Sequence, residues 1–119
     1  MPQYVDGFVL VVPKKNVRAY RIMAAKAGKV WKEHGALAYY ECEGDDLKSK
    51  WGTPFPKLAK ARAGETVFFS WIVYKSRAHR TQVNTRVMKD PRIMKMMQGK
   101  ELFDMKRMSY GGFKAVVKV

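Results

Sequence analysis

Few side chains in this sequence have types and settings that could do chemistry. His34 stands on the apolar arc of what reads as the first helix. Imidazoles as a class titrate near neutral pH, and a histidine there can serve as a general base or ligand in a helix–sheet cleft. It can equally be a helix-end histidine that packs its ring and hydrogen-bonds a carbonyl, because helix C-termini favour histidine. Glu41 and Cys42 point to opposite faces of one strand. A carboxylate beside Tyr39, in a strand read as central, is either salt-bridged, with Arg107 as the partner, or set in the wall of a polar pocket. Cys42 becomes a nucleophile only where a base lowers its pKa. No local motif supplies one, and the alternative is a small buried hydrophobe. Asp6 and Arg107 fall in the two terminal strands, read as the central pair of the sheet. There they either form an ion pair or leave the arginine free to hold an anion bidentately.

Aromatic and sulfur side chains surround these groups. Trp31, Trp71, Tyr74 and Tyr110 either line an aromatic pocket or fill the core. Met88, Met94, Met96, Met97, Met105 and Met108 crowd the C-terminal third, as an adaptable pocket wall or as gap-fillers. His79, Arg86 and Asp90 share a flank of the second long helix, which a solvated polar face explains. The two histidines and one cysteine lack the short spacings of a metal site. No phosphate loop, nucleophile elbow or dinucleotide fingerprint occurs, and Gly111-Gly112 alone carries no such meaning. The sequence therefore calls for no metal and no cofactor.

The elements that must position these residues follow from periodicity. Residues 4–12 read as a strand rich in aromatic and β-branched side chains and closed by Pro13, with Val9-Leu10-Val11-Val12 apolar on both faces. From 15 to 34 the period becomes helical. Val17, Tyr20, Met23, Ala24, Ala27, Val30, Trp31 and His34 take one arc, with lysines and arginines opposite, Ile22 as a misfit and Gly35 as the terminator. Residues 36–43 read as a strand, and Gly44-Asp45-Asp46 as a turn. The Pro- and Gly-punctuated stretch 47–64 carries a short edge strand at 56–61. Residues 67–74 form the clearest strand, again apolar on both faces. Ser76 caps a helix to about residue 89, buried through Val83 and Val87. Asp90-Pro91 opens a Met-rich helix ending at Gly99. A last strand spans 106–117, its two glycines marking a bulge or a close backbone approach.

The order strand, helix, strand, strand, helix, strand is the split βαβ pattern of a ferredoxin-like α+β fold, one domain over 1–119. Helices cover one face of such an antiparallel sheet. Two strands apolar on both faces need a second cover, and a second subunit packed sheet against sheet supplies it, so a homodimer is expected.

Composition narrows the function classes. A hydrophobic fraction of 47% excludes a disordered chain. A lone cysteine excludes an internal disulfide framework. No secretory signal and no apolar run of about 18 residues occurs, so a cytoplasmic protein without a membrane span is expected. Lys and Arg number 24 against 10 Asp and Glu, a formal charge of +14, which raises affinity for any polyanion. The basic arc of the first helix is the best nucleic-acid footprint, although no aromatics interleave it to stack bases. The basic residues are spread along the whole chain rather than gathered in an arm.

Particular runs carry a likeness. Tyr4-Val5-Asp6-Gly7-Phe8, Trp31-Lys32-Glu33-His34-Gly35-Ala36-Leu37, Glu41-Cys42, Phe69-Ser70-Trp71-Ile72, Asp90-Pro91-Arg92 and Lys106-Arg107-Met108-Ser109-Tyr110-Gly111-Gly112-Phe113 resemble the YbaA-like family. These are small bacterial proteins of unknown function among the dimeric α+β barrels. The likeness covers nearly the whole chain. It implies a ferredoxin-like protomer and a face-to-face dimer, but no activity, because related barrels include cofactor-free monooxygenases, haem-degrading enzymes and non-catalytic binders. The strong positive charge departs from the near-neutral or acidic character of such relatives.

The expectation is therefore a homodimeric barrel binding a small organic molecule in its helix–sheet cleft. Trp31, Trp71, Arg107 and Tyr110 would line the cleft. His34 or Glu41 would carry any acid–base or oxygenase-type chemistry, and Arg107 would hold an anionic group. The alternative is a non-catalytic polyanion or nucleic-acid binder acting through the first helix.

Overall fold

The computed structural model describes residues 2–119. Strand β1 (Tyr4–Pro13) is followed by a single 3₁₀ turn and helix α1 (Val17–Glu33), strand β2 (Ala38–Glu43), a one-turn helix α2 (Phe55–Leu58) and strand β3 (Glu65–Tyr74). Helix α3 (Arg77–Met88), helix α4 (Pro91–Met97) and strand β4 (Ser109–Lys114) complete the chain. The four strands form one antiparallel sheet in the order β2-β3-β1-β4, the ferredoxin-like α+β arrangement.

That order corrects two expectations. The central pair is β1 and β3, which match along their full length from Tyr4 opposite Tyr74 to Pro13 opposite Glu65. β4 pairs only with the first part of β1, from Tyr4 to Val9, and is an edge strand, as is β2. Glu41 therefore sits on an edge strand rather than a central one. Arg107 lies in no strand: it ends the 3₁₀ turn Met105–Arg107, which Asp104 caps by accepting the Lys106 N–H at 2.9 Å.

Two further elements differ from their sequence readings. Residues 56–61 hold a helical turn instead of an edge strand. Pro56 has the fixed φ of a first helical turn and no N–H for a ladder, and the Pro54 carbonyl accepts from both Lys57 and Leu58 at 3.1 Å. Gly111 and Gly112 continue the β1–β4 register without a bulge. A Cβ on Gly112 would stand 2.5 Å from the Tyr4 hydroxyl, so a neighbouring side chain demands the glycine.

The helical caps follow the sequence closely. Gly35 takes φ +116° and ends α1. Ser76 Oγ accepts the His79 N–H at 3.1 Å, and Asp90 Oδ1 accepts the Arg92 N–H at 2.9 Å. Val83 and Val87 are fully buried, and Ile22, the misfit of the α1 arc, is 52% exposed.

The helices cover one sheet face with two cores. The first joins Val30, Ile72, Tyr74, Val83, Val87 and Ile93, beneath the end of α1 and helices α3 and α4. The second joins Leu10, Val12, Tyr20, Ala24 and Phe68, with Phe103 and Met108 packed against it. On the opposite face the chain covers only one end: Ala59, with Leu47 and Ala61, packs on Val11 and Val67. The remainder of that face is an open aromatic surface. Tyr40 stacks on Trp71 at 4.8 Å, Phe69 leans on Trp71 at 5.4 Å, and Phe113 is exposed.

Candidate functional site

Between the two helix-side cores lies a cleft of about 510 Å³. The register builds its floor. Tyr110, Phe8, Ser70 and Glu41 stand opposite one another in one row across all four strands, and Asp6, Ile72 and Tyr39 form the next row. α1 supplies Tyr20, Met23, Ala27 and Trp31 as one wall, α3 supplies Asn84 and Met88, and Met105 and Met108 close the far side. Asp6, Leu10, Ser70 and Ile72 at the bottom are buried, whereas Met88, Met105 and Tyr110 at the rim are about half exposed.

Two carboxylates enter this largely apolar space. They stand two strands and one row apart, with backbones separated by roughly 12 Å. Glu41 accepts from the Tyr20 hydroxyl at 2.8 Å on Oε1 and from the Tyr39 hydroxyl at 2.9 Å on Oε2. Burial and the adjacent Glu41 charge push both tyrosines far above the ordinary phenol range, so they stay protonated donors. Among the described residues, no basic side chain is paired with Glu41.

Asp6 is 1% exposed. Its Oδ2 accepts from Asn84 Nδ2 at 3.4 Å, and its Oδ1 stands 3.5 Å from Arg80 Nε. That is an ion pair but not a hydrogen bond, and Oδ1 and Nε both lack a hydrogen-bond partner. Burial raises the Asp6 pKa, opposed by Arg80 and by the Asn84 hydrogen bond. Asn84 is fixed in turn, because its Oδ1 accepts from Trp31 Nε1 at 3.2 Å and from the Tyr74 hydroxyl at 3.1 Å. Arg80 donates to the Tyr4 hydroxyl at 3.3 Å and lies over the Tyr4 ring.

Of the six residues expected to line or act in the cleft, the structure brings Glu41, Trp31 and Tyr110 together there. Three others lie elsewhere. Trp71 projects from the opposite face of β3, stacked on Tyr40, because its place in the strand alternates with Ser70 and Ile72. His34 follows α1 as its C-terminal cap and binds Asp90 Oδ2 through Nε2 at 2.8 Å, while its carbonyl accepts from Arg86. Arg107 makes a bidentate pair with Glu65 at 2.6 and 2.8 Å and a further bond to Asp104 at 3.0 Å. It pairs with neither Asp6 nor Glu41 and has no free fork to offer an anion. Hydrogen bonding to Arg107, aided by the Arg62 N–H, holds the Glu65 carboxyl down at about 2.

Asn84 and Arg80 escaped the sequence reading. Their signal was an i, i+4 polar pair flanking the buried valines of α3, a spacing that puts both side chains over the sheet. Tyr20 was read only as an apolar arc member, although its hydroxyl completes the Glu41 site. Among the described residues, no group of three or more His, Cys, Asp or Glu could hold a metal ion. Among the described residues, no helix is long and apolar enough to cross a membrane.

The profile of a family described as protein of unknown function (DUF1428) matches residues 3–105. The chain belongs to the DUF1428 family. The uncharacterized protein YbaA of Escherichia coli K12 is 46% identical over 115 residues, covering 97% of each chain, and YbaA of Shigella flexneri matches to the same extent. Among solved structures, a dimeric ferredoxin-like protein from an uncultured marine organism superposes with a TM-score of 0.59 at 11% identity, covering 100% of both chains. A nipsnap family protein with unknown function from Agrobacterium tumefaciens gives 0.58 at 16%, over 96% of this chain and 88% of that one. These two likenesses establish a shared fold for this DUF1428 member.

Proposed function

We propose that this DUF1428 protein is a homodimer that binds a small organic molecule in the helix–sheet cleft of each subunit. The cleft itself carries the reading: an apolar, aromatic and Met-lined space with a few convergent polar groups is the usual make-up of a small-molecule site. Glu41 is the anchor and the candidate acid–base group, with Trp31 and Tyr110 as aromatic walls. His34, committed to Asp90, has no part in it. The dimer is supported by the open aromatic surface of the sheet, since soluble monomers seldom expose a large contiguous apolar patch. A fold neighbour described as dimeric adds support. The reading assigns the protein to the cytoplasm, where Cys42 stays reduced.

Native mass spectrometry of the protein purified from its host tests both parts. A dimer carrying a small additional mass that is lost in Ala27→Phe, which fills the cleft, is the expected result. A bare protein whose affinity for added small molecules is unchanged by Ala27→Phe would overturn the ligand reading. A monomer at micromolar concentration would overturn the dimer.

A second reading, binding of a polyanion, is supported by one observation: Arg18, Arg21, Lys26, Lys29 and Lys32 are all exposed along α1. Duplex binding measured at several salt concentrations tests it, because attraction that vanishes near physiological salt is counterion release alone.

A further inference from the structure

We infer that the ligand of the cleft is a small organic ammonium ion with an apolar, aromatic or similarly bulky body, its cationic head at Glu41. This rests on the reading of the cleft as a ligand site and adds the chemical class.

Two independent features point the same way. First, the walls contain carboxylates from both Asp6 and Glu41 and, among the described residues, no lysine, arginine or histidine. Asp6 has Arg80 behind it, but Glu41 has only two tyrosine hydroxyls, which supply hydrogen bonds and no compensating charge. Glu41 is partly buried and pairs with no cation, and each of its oxygens retains capacity for a further donor.

Second, six aromatic rings surround the same space: Phe8, Tyr20, Trp31, Tyr39, Phe103 and Tyr110. Ring faces attract cations, and aromatic walls combined with a carboxylate are the physical requirements for holding an ammonium group out of water. An anionic ligand would meet two carboxylates and no donor fork, since Arg107 is consumed by Glu65 and Asp104. The acidic cleft is the more telling in a protein of net charge +14, whose overall field draws anions and repels cations.

The test compares three probes of nearly equal shape at constant ionic strength and pH 7: benzylammonium, benzyl alcohol and benzoate. Titrations followed by the Trp31 indole N–H resonance and by calorimetry give their affinities. Benzylammonium is expected to bind roughly tenfold or more tightly than benzyl alcohol, with benzoate weakest. Glu41→Gln, which keeps the shape and one acceptor oxygen, is expected to shrink the gap to about twofold.

Benzoate binding as tightly as benzylammonium, or a cation preference that survives Glu41→Gln, would overturn the inference while leaving the cleft a ligand site. If none of the three probes perturbs the Trp31 resonance, the cleft reading falls and this inference falls with it. The order of affinities in the wild-type protein decides the matter even if the variant folds poorly.

Discussion

Replacing Gly28 by alanine pits two opposed effects against each other in one methyl group. Gly28 is buried in the interior of α1, where alanine is intrinsically better than glycine by about 1 kcal/mol, partly through the unfolded chain. Here the added Cβ would stand 2.7 Å from Tyr39 Cδ1 and 3.0 Å from Cε1. Those atoms belong to the ring and not to a free side-chain end. The ring is pinned by its hydroxyl bond to Glu41 at 2.9 Å and by Trp31, 6.0 Å away between centroids. Forcing a methyl group into such a contact costs about 1–3 kcal/mol, and loosening the Tyr39–Glu41 bond adds about 1 kcal/mol. The steric cost wins, and Gly28→Ala is expected to destabilise the protein by about 1–3 kcal/mol. Urea unfolding at one fixed protein concentration measures it. The decisive comparison is the Tyr39→Ala background, where the obstacle is gone and Gly28→Ala should stabilise by about 1 kcal/mol. A wild-type protein stabilised by Gly28→Ala, or an equal effect in both backgrounds, would refute the reasoning.

Phe69→Asp or Trp71→Arg, on the open sheet face, should convert a dimer to a monomer in light scattering without changing the helix content; an unchanged mass would remove that face as the interface. Val87→Ala should cost about 2 kcal/mol in urea unfolding, because Val87 is fully buried, whereas Ile22→Ala should stay within about 0.5 kcal/mol, because Ile22 is half exposed. Glu65 has a folded pKa of about 2 against an ordinary 4.5, so its pairing with Arg107 contributes stability above pH 4.5 and loses it as pH falls through about 2. Glu65→Gln should therefore be less stable than wild type at pH 7, with the difference closing toward pH 2, and parallel unfolding midpoints across that range would contradict the pairing.

The fold was legible where local signals agreed. The 3.6-residue period of α1, the glycine after it, the Ser76 and Asp90 caps and the two-faced apolar strands each had one physical reading. Pairing order was less legible. A charged residue in a short strand was read as central, and the last strand was read over 106–117, longer than the one at 67–74, whereas it spans only Ser109–Lys114 and pairs with just the first part of β1. The candidate site was half legible. Glu41, Trp31 and Tyr110 meet through cross-strand register and helix packing that the sequence order anticipates. Trp71 was misplaced because alternation fixes which residues share a face but not which face meets the helices. Arg107 was misassigned because its partner Glu65 comes from a strand start, and long-range ion pairs leave no mark in local sequence. The polar ends of Tyr20 and Asn84 were hidden for a similar reason, since an apolar-arc analysis counts a tyrosine by its ring and ignores its hydroxyl.

Glu41, Tyr39, Tyr20 and Ala24 face two chambers. They line the cleft, and they also line a wider groove of about 1090 Å³ between α1 and β2 that opens along the sheet edge beside Lys29 and Lys32. The hydrogen-bonded Tyr20–Glu41–Tyr39 bridge stands between the two spaces, and on the helix side the Tyr39 ring packs directly over Gly28. On the proposed ligand reading, this partition would act as a size dial. With the bridge closed, the depth of the cleft would limit ligand length, whereas a rotation of Tyr39 would join cleft and groove and let a longer tail leave at the edge strand. Ligand length and headgroup recognition would then be set at the same three side chains.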